Sequence, residues 1–439
     1  MIAITKKRPV ADESARHWEE RKLKFVSRVR TSNVDKHIVE GEAVVRLCNY
    51  TDVYYHEKIT PDMPFMQGSA TESEIERFGL KEGQVLLTKD SESWEDIAVP
   101  AYVSETMPDV VCGYHLAIIE PDSGQVDGRF LFWMAQSPVL NDQFKLSAKG
   151  VTRFGLSQHA LKNAVMEVPP LEYQSKVAAF LDRKTAEIDA LIAKKRRLLD
   201  RLAEKRTALI TRAVTKGLNP DAPMKDSGIE WLGEIPAHWR VSRVKFFAAV
   251  GNGSTPSREN TNYWVGGNYP WLNSSVVNKG AVTESDQFVT ELALRECHLP
   301  KIDPPAVLVG ITGQGKTRGM ATKLEIQATI NQHLVFVKPN ESALDIDYLY
   351  AIFERAYRYL RSESDGGGST KGAITCGQVE NLCVPLPPLS EQQQIALVLQ
   401  GNQEKLDKVS RQIGKAIDHL EEYRAALITN AVTGQIRVA

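Results

Sequence analysis

PPLEYQSKVAAFL, residues 169–181, and PPLSEQQQIALVL, residues 387–399, are two versions of one stretch set 218 residues apart. At the same offset RTALITRAVT (206–215) falls on RAALITNAVT (424–433), and no gap is needed between the matches. From Pro169 to Gly217, 18 of 49 positions are identical to their counterparts from Pro387 to Gln435. The register holds upstream, where His115-Leu116, Pro121 and Asn163 fall on His333-Leu334, Pro339 and Asn381. Farther upstream it slips to 221, and His17-Trp18 and Lys24-Phe25 fall on His238-Trp239 and Lys245-Phe246. Two copies of one unit therefore fill nearly all of the 439 residues. Such internal similarity sets the architecture before any local reading does.

The better-matched part of each copy reads as a long helix. Leu399, Leu406, Ile413, Leu420 and Leu427 recur every seven residues, with Val409, Ala416 and Tyr423 three positions later. The first copy has Leu181, Ile188, Lys195, Leu202 and Leu209 at the matching places, with Leu191 and Leu198 as the second set. Heptads of this kind form a coiled-coil seam, and a polar residue such as Lys195 fixes register at a cost in stability. Proline suits a helix start and disfavours its interior, so each helix is expected to begin after its Pro-Pro pair. About 40 residues at 1.5 Å each make a rod of roughly 60 Å. Two similar rods in one chain are expected to pair antiparallel; packing of each on its own domain is the alternative.

The variable parts read as mixed α and β. GQVLLTK from Gly83, YHLAIIE from Tyr114, AVLVGIT from Ala306 and QHLVFVK from Gln332 are apolar or β-branched runs bounded by Gly, Pro or Asp, as strands are. DYLYAIFERAYRYLRSE from Asp347 has helical periodicity, and Gly366-Gly367-Gly368-Ser369 reads as a loop before the last strand. The fold class is α+β. Two mixed α/β domains stand in pseudo-two-fold tandem repeat, separated by two long helices packed as an antiparallel coiled coil. The expected boundaries are 1–168, 169–217, 218–386 and 387–439.

Composition narrows the classes. Hydrophobic residues make up 42% and charged residues 25%, and 54 Lys and Arg against 55 Asp and Glu leave a net charge of -1. That excludes a mainly disordered chain and a uniformly basic coat for nucleic acid. No apolar run is long enough to span a bilayer. The first twenty residues have no apolar core behind their lysines, so no signal peptide is expected. Five cysteines without a CxxC pair suit a reducing cytosol better than a disulfide framework or a zinc site. Residues 169–217 carry a net charge of +6 and residues 387–439 none. The run Lys194-Lys195-Arg196-Arg197 is a solvated face, a phosphate contact or a docking surface.

Three motifs resemble enzyme sites. Gly310-Ile311-Thr312-Gly313-Gln314-Gly315-Lys316-Thr317 fits G-x-x-x-x-G-K-[ST] after a strand, but Leu324-Glu325-Ile326 downstream alternates as a strand does, where a phosphate loop needs a helix N-terminus. The other reading is a Gly-rich hairpin that carries Lys316, Thr317 and Arg318 into solvent, suited to DNA phosphates or bases. Asp303-Pro304-Pro305-Ala306 lacks the aromatic residue that stacks on a flipped base and reads as a turn before a strand. His115 and His333 match by position without a nucleophile or carboxylate at a telling spacing, and shared architecture accounts for them.

Two globular parts, each followed by P-P-L-x-x-Q and a helix ending in A-L-I-T-x-A-V-T, resemble the specificity subunit of type I restriction–modification systems over essentially the full chain. Pro387 to Ile395, the doubled ALIT tails, Gly233-Glu234-Ile235-Pro236-Ala237-His238-Trp239, and Tyr263-Trp264 with Pro270-Trp271 carry the likeness. The first copy departs from it with Glu172-Tyr173, and it lacks the element at Gly253 to Pro256. The resemblance implies two target-recognition domains, each reading half of a bipartite double-stranded DNA site, on helices that act as a ruler and dock two methyltransferase subunits. It also implies restriction subunits that can join, no catalysis and no cofactor in this chain, with S-adenosylmethionine and ATP/Mg on the partners, and a cytoplasmic location away from membranes. A scaffold that reads no DNA and a P-loop NTPase using Lys316 are the competing readings.

Arg, Lys and Asn match guanine and adenine edges or phosphates, and polar loops flanked by glycine present them. The DNA-binding candidates are Lys89, Ser91, Ser93, Lys149 and Arg153 in the first copy. In the second they are Ser254, Thr255, Ser257, Arg258, Asn273, Ser274, Ser275, Lys316, Arg318, Ser369, Thr370 and Lys371. No catalytic or metal-binding residue is assigned.

Overall fold

The computed structural model describes residues 18–313, 315–365 and 372–438. They form two compact units, and the division cuts both long helices: residues 18–196 with 414–438 make one, residues 197–413 the other. The helices run over Leu171–Lys216 and Leu389–Val432. Each starts directly behind its Pro-Pro pair, where the carbonyls of Pro170 and Pro388 accept the amides of Tyr173 and Gln174, and of Glu391 and Gln392. Gly217 ends the first helix with φ +69°, a conformation that favours glycine. A Cβ there would stand 3.1 Å from the buried Trp239 ring.

In the first unit the two helix segments run antiparallel. Asp189 accepts from Arg424 at 3.0 Å and Glu421 from Arg196 at 3.0 Å, so the numbering falls along one helix as it rises along the other. In the second unit Arg206 lies 3.7 Å from Asp407. Arg206 and Arg424 occupy the same place in the repeat, as do Asp189 and Asp407, so one ion pair is made twice.

Leu181, Ile188, Leu399, Ile413 and Leu427 are buried, and Leu202, Leu209, Leu406 and Leu420 are half-buried. The second set needs correction. Leu191, Leu198, Val409 and Tyr423 face solvent, whereas Thr185, Ile192, Ile417 and Ala431, four residues after a seam position, are buried. On a helix of 3.6 residues per turn the sites three and four positions on both flank the first set. Periodicity alone does not choose between them.

The globular parts repeat one topology. In the first unit a five-stranded sheet has the order Ser27–Thr31, Leu116–Pro121, Val85–Thr88, Pro100–Val103, Lys58–Ile59. In the second it is Ala248–Asn252, Leu334–Pro339, Ala306–Gly310, Ala321–Leu324, Ala281–Val282. Three antiparallel junctions are followed by a parallel one in both. All four strands expected from sequence lie in these sheets. A smaller sheet is built around a parallel pair in each unit, Ala43–Cys48 with Met107–Cys112 and Tyr269–Leu272 with Thr329–Ile330. A two-stranded ribbon joins the start and end of each globular part, Glu19–Lys22 with Val165–Val168 and Arg240–Arg243 with Cys383–Leu386.

Strand alternation decides what each face covers. Val307, Val309, Val335 and Val337 pack on Tyr348, Ile352 and Phe353 of the helix Ile346–Asp365, and on Ile210, Val214, Ile395 and Leu399 of the long helices. The intervening Leu308 and Leu334 pack on Leu272, Val276 and Ile330 instead. The first unit replaces the single helix by Gly128–Gln136 and Pro138–Ser147, broken where Pro138 starts the second.

Gly310 to Thr317 leads into the strand Ala321–Leu324, which pairs back on Ala306–Gly310. Among the described residues the segment is a hairpin and offers no helix N-terminus to a phosphate. Gly366 to Ser369 lies outside the described residues, and the helix Cys376–Glu380 stands between it and the last strand. Among the described residues no helix is long and apolar enough to cross a membrane.

Candidate nucleic-acid interface

The polar loops gather at one end of the repeated sheet, and it is the same end in both units. In the first unit Val85–Thr88 ends where Leu116–Pro121 begins, with Thr88 opposite Leu116. Lys89 and His115 are thereby set side by side, with the Lys89 amide donating to the His115 carbonyl at 2.9 Å. Phe154 pairs with Ser91, the Leu156 amide donates to the Lys89 carbonyl at 2.8 Å, and Lys149 and Gly155 exchange two backbone bonds. The five candidates of this copy thus lie on neighbouring loops at one sheet end. Lys89 pairs with Asp90, Asp90 lies 3.2 Å from His115 Nδ1, and the Arg153 guanidinium lies 3.0 Å from the His115 ring nitrogens. Burial, together with the Arg153 and Lys89 cations, pulls the His115 imidazole below its ordinary value against the pull of Asp90. Lys149 and Arg153 are exposed. Ser91 is buried and its Oγ accepts from the Ser93 amide at 3.2 Å, so it shapes the loop from within.

In the second unit the same sheet end carries a chain of side-chain contacts. Thr255 donates to Gln332 at 2.6 Å, Gln332 Nε2 lies 3.3 Å from His333, and Thr312 lies 3.0 Å from the other His333 nitrogen. His333 occupies the position of His115, so the histidine marks this end in both copies. Arg258 is exposed, with its guanidinium 3.8 Å from the Trp264 ring centroid and 4.9 Å from that of Trp271, and it donates to Gln287 at 2.7 Å. Such stacking holds a cation ready in one orientation. The carbonyls of Ser254 and Ser257 accept the two indole N–H groups, and Ser254 Oγ donates to the Cys297 carbonyl. Asn273 caps the short helix Ser274–Asn278 by accepting from the Ser275 amide at 2.9 Å; Ser274 is half-buried and Ser275 exposed.

Lys316 is exposed on its hairpin, whose backbone is clamped by Tyr357 and Arg361 of the helix Ile346–Asp365. Arg318 differs from expectation. It is 5% exposed and donates to Asp365 at 2.7 Å, because a carboxylate from the neighbouring helix draws it inward. Ser369, Thr370 and Lys371 lie outside the described residues. Gln332, Gln287 and Thr312 are not among the candidates expected from sequence, since each is a single polar residue beside a strand; the matched histidines are the available signal. Among the described residues no three His, Cys, Asp or Glu side chains are grouped to hold a metal.

Residues 236–417 match the family described as the type I restriction modification DNA specificity domain. A putative type I restriction enzyme MjaX specificity subunit from Methanocaldococcus jannaschii is 24% identical over 330 residues, which span 74% of this chain and 72% of the relative. A solved chain of a type I R-M system superposes with a TM-score of 0.73 at 16% identity, over 98% of this chain and 100% of the other. The HsdS subunit from Thermoanaerobacter tengcongensis superposes with a TM-score of 0.54 at 17% identity, over 95% and 97%. The two solved structures share the fold, and residues 236–417 carry the type I restriction modification DNA specificity domain.

Proposed function

We propose that each unit reads one half of a two-part double-stranded DNA target, and that the long helices dock two methyltransferase subunits. The observation that carries this reading is the shared sheet end. One scaffold position bears Lys89, Lys149 and Arg153 in one unit and Thr255, Arg258, Gln332 and Lys316 in the other. A repeated frame with different donors and acceptors at its rim suits two different base sequences. The exposed cations supply phosphate contacts that hold the register. Chemistry then belongs to the partners, with S-adenosylmethionine on the methyltransferase and ATP with Mg on a restriction subunit that can join; this chain acts without a cofactor, in the cytoplasm.

The test is a map of modified adenines in cells that express the methyltransferase subunit with and without this chain. A gapped two-part motif is expected only with the chain. Exchanging residues 218–386 for those of a relative is expected to change one half of it, and Arg153→Ala to weaken modification through the other half about tenfold. A motif that ignores the exchange would overturn the reading.

A further inference from the structure

Between Glu19 and Thr31 only three residues are identical to their counterparts in 240–252: Lys24, Phe25 and Val29. Val29 is buried and its retention is explained by the core. Lys24 and Phe25 are not explained that way. Phe25 is 61% exposed and its counterpart Phe246 is 70% exposed, whereas Leu23 and Val244 two residues before are fully buried. Each ring carries the ammonium of the preceding lysine, Lys24 at 5.1 Å from the Phe25 centroid and Lys245 at 5.6 Å from that of Phe246. Both pairs sit on one helical turn, Leu23–Val26 and Val244–Phe246. Each turn is anchored by the same bond, from the Leu23 amide to the Ala164 carbonyl at 2.9 Å and from the Val244 amide to the Leu382 carbonyl at 3.1 Å. Asn163 and Asn381, identical in the repeat, stand one residue before those carbonyls.

A single exposed phenylalanine needs no explanation. The same Lys-Phe pair kept on the same turn of two units, among solvent-facing neighbours that have changed, does. Lys24 Nζ donates to Asn163 Oδ1 at 3.1 Å, which holds that lysine beside its ring; the rings themselves stay out of the core, so their use lies outside the chain, and it is the same use twice. The sheet separates this patch from the DNA rim. Phe25 precedes the strand Ser27–Thr31 and Phe246 precedes Ala248–Asn252, and the far ends of those strands reach the polar loops, about 17 Å away at 3.4 Å per residue.

We propose that Lys24-Phe25 and Lys245-Phe246 are paired docking points for two copies of one protein, the methyltransferase subunit. Each copy offers an apolar pocket to the ring and a carboxylate to the lysine. An aromatic anchor in a desolvated pocket with a charged neighbour is the usual form of an interface hot spot. The inference rests on the reading above, and it adds a contact on the globular part of each unit to the helices assigned there.

The test uses the full chain coexpressed with the methyltransferase subunit. Native mass spectrometry counts bound subunits, and titration measures their affinity. Phe25→Ser and Phe246→Ser are each expected to weaken one of two bound subunits about 30-fold and the double change to weaken both, at unchanged Tm. Lys24→Glu and Lys245→Glu are expected to act in the same direction, which guards against a packing artefact of the serine changes. Two subunits bound at wild-type affinity in all variants would overturn the docking points, as would intact assembly with lost DNA binding, which would give the patch to DNA. The wild-type complex separates the two readings. If it directs no motif, the recognition role fails; if it does and the variants still assemble, only the docking inference fails.

Discussion

Gln392→Leu is expected to cost the second unit about 4 kcal/mol, and Gln174→Leu to cost the first a similar amount. Both glutamines belong to the P-P-L-x-x-Q motif and both are fully buried. The Gln392 amide donates to the carbonyls of Ala343 and Pro387 at 3.0 Å and accepts the Asp345 amide at 2.9 Å. Gln174 donates to Gln125 and Pro169 at 2.8 and 2.7 Å and accepts from Asp127 at 2.8 Å. Leucine fills nearly the same space but strands two carbonyls and one N–H, each costing about 1–3 kcal/mol when buried without a partner. The damage spreads, because Asp345 in turn accepts the amides of Asp347 and Tyr348 at the head of the helix Ile346–Asp365. Asp127 does the same for Arg129 and Phe130. The glutamine thus joins the start of each long helix to the start of a domain helix. Urea unfolding of the two variants beside the wild type reads the cost, and a loss below 1 kcal/mol in both would refute this account. Mapping modified adenines adds a second readout, since each variant is expected to blur the half-site of its own unit.

That motif shows what a sequence exposes and what it withholds. Its recurrence at 387 was plain, and so was the helix behind it, because prolines and heptads are local signals. The reason for the glutamine was hidden, because its partners at Ala343 and Asp345 lie 49 and 47 residues away in the chain. The seam behaved likewise. Leu181, Ile188 and Ile413, on the seven-residue period, are buried, but the apolar character of Leu191 and Leu198 points to the exposed flank, and the buried one includes the polar Thr185. The strands from Val85, Leu116, Ala306 and Leu334 were legible, and their order was not, since pairing is a non-local matter. At the rim, Lys89 and Arg153 were found as charges in loops and meet only because two strands end together. Arg318 looked the same on paper, yet Asp365 turns it inward.

Arg206→Ala is expected to cost the second unit about 2 kcal/mol at pH 8 and visibly less near pH 5. Arg206 donates to Glu354 at 3.2 Å, lies 3.7 Å from Asp407, and thereby ties the domain helix Ile346–Asp365 to both long helices. The Glu354 side chain is only 20% exposed. Burial raises its carboxyl above the ordinary carboxylate range, while the Arg206 cation and hydrogen bonds from Gln403 and Tyr350 pull the other way. A carboxyl raised on folding holds its proton more tightly folded than unfolded, so its ionisation costs stability above the ordinary value near 4.5. Acidification through the folded value relieves that cost. Removing Arg206 removes the main opposing charge and raises Glu354 further. The deficit of the variant relative to wild type should therefore grow from about pH 5 to pH 8. Removing one partner of a buried pair costs about 3–5 kcal/mol; the partial exposure of Arg206 brings the figure down. Thermal melts of wild type and variant across that range provide the measurement. Arg206→Ala combined with Glu354→Gln should flatten the pH dependence and recover part of the loss, whereas a deficit that ignores pH would mean that the arginine stem, not its charge, holds the helices. The repeat supplies an internal control. Arg424 makes the equivalent bond to Asp189, but its domain carboxylate, Glu57, is 44% exposed. Arg424→Ala leaves no deeply buried charge behind, and its cost should be smaller.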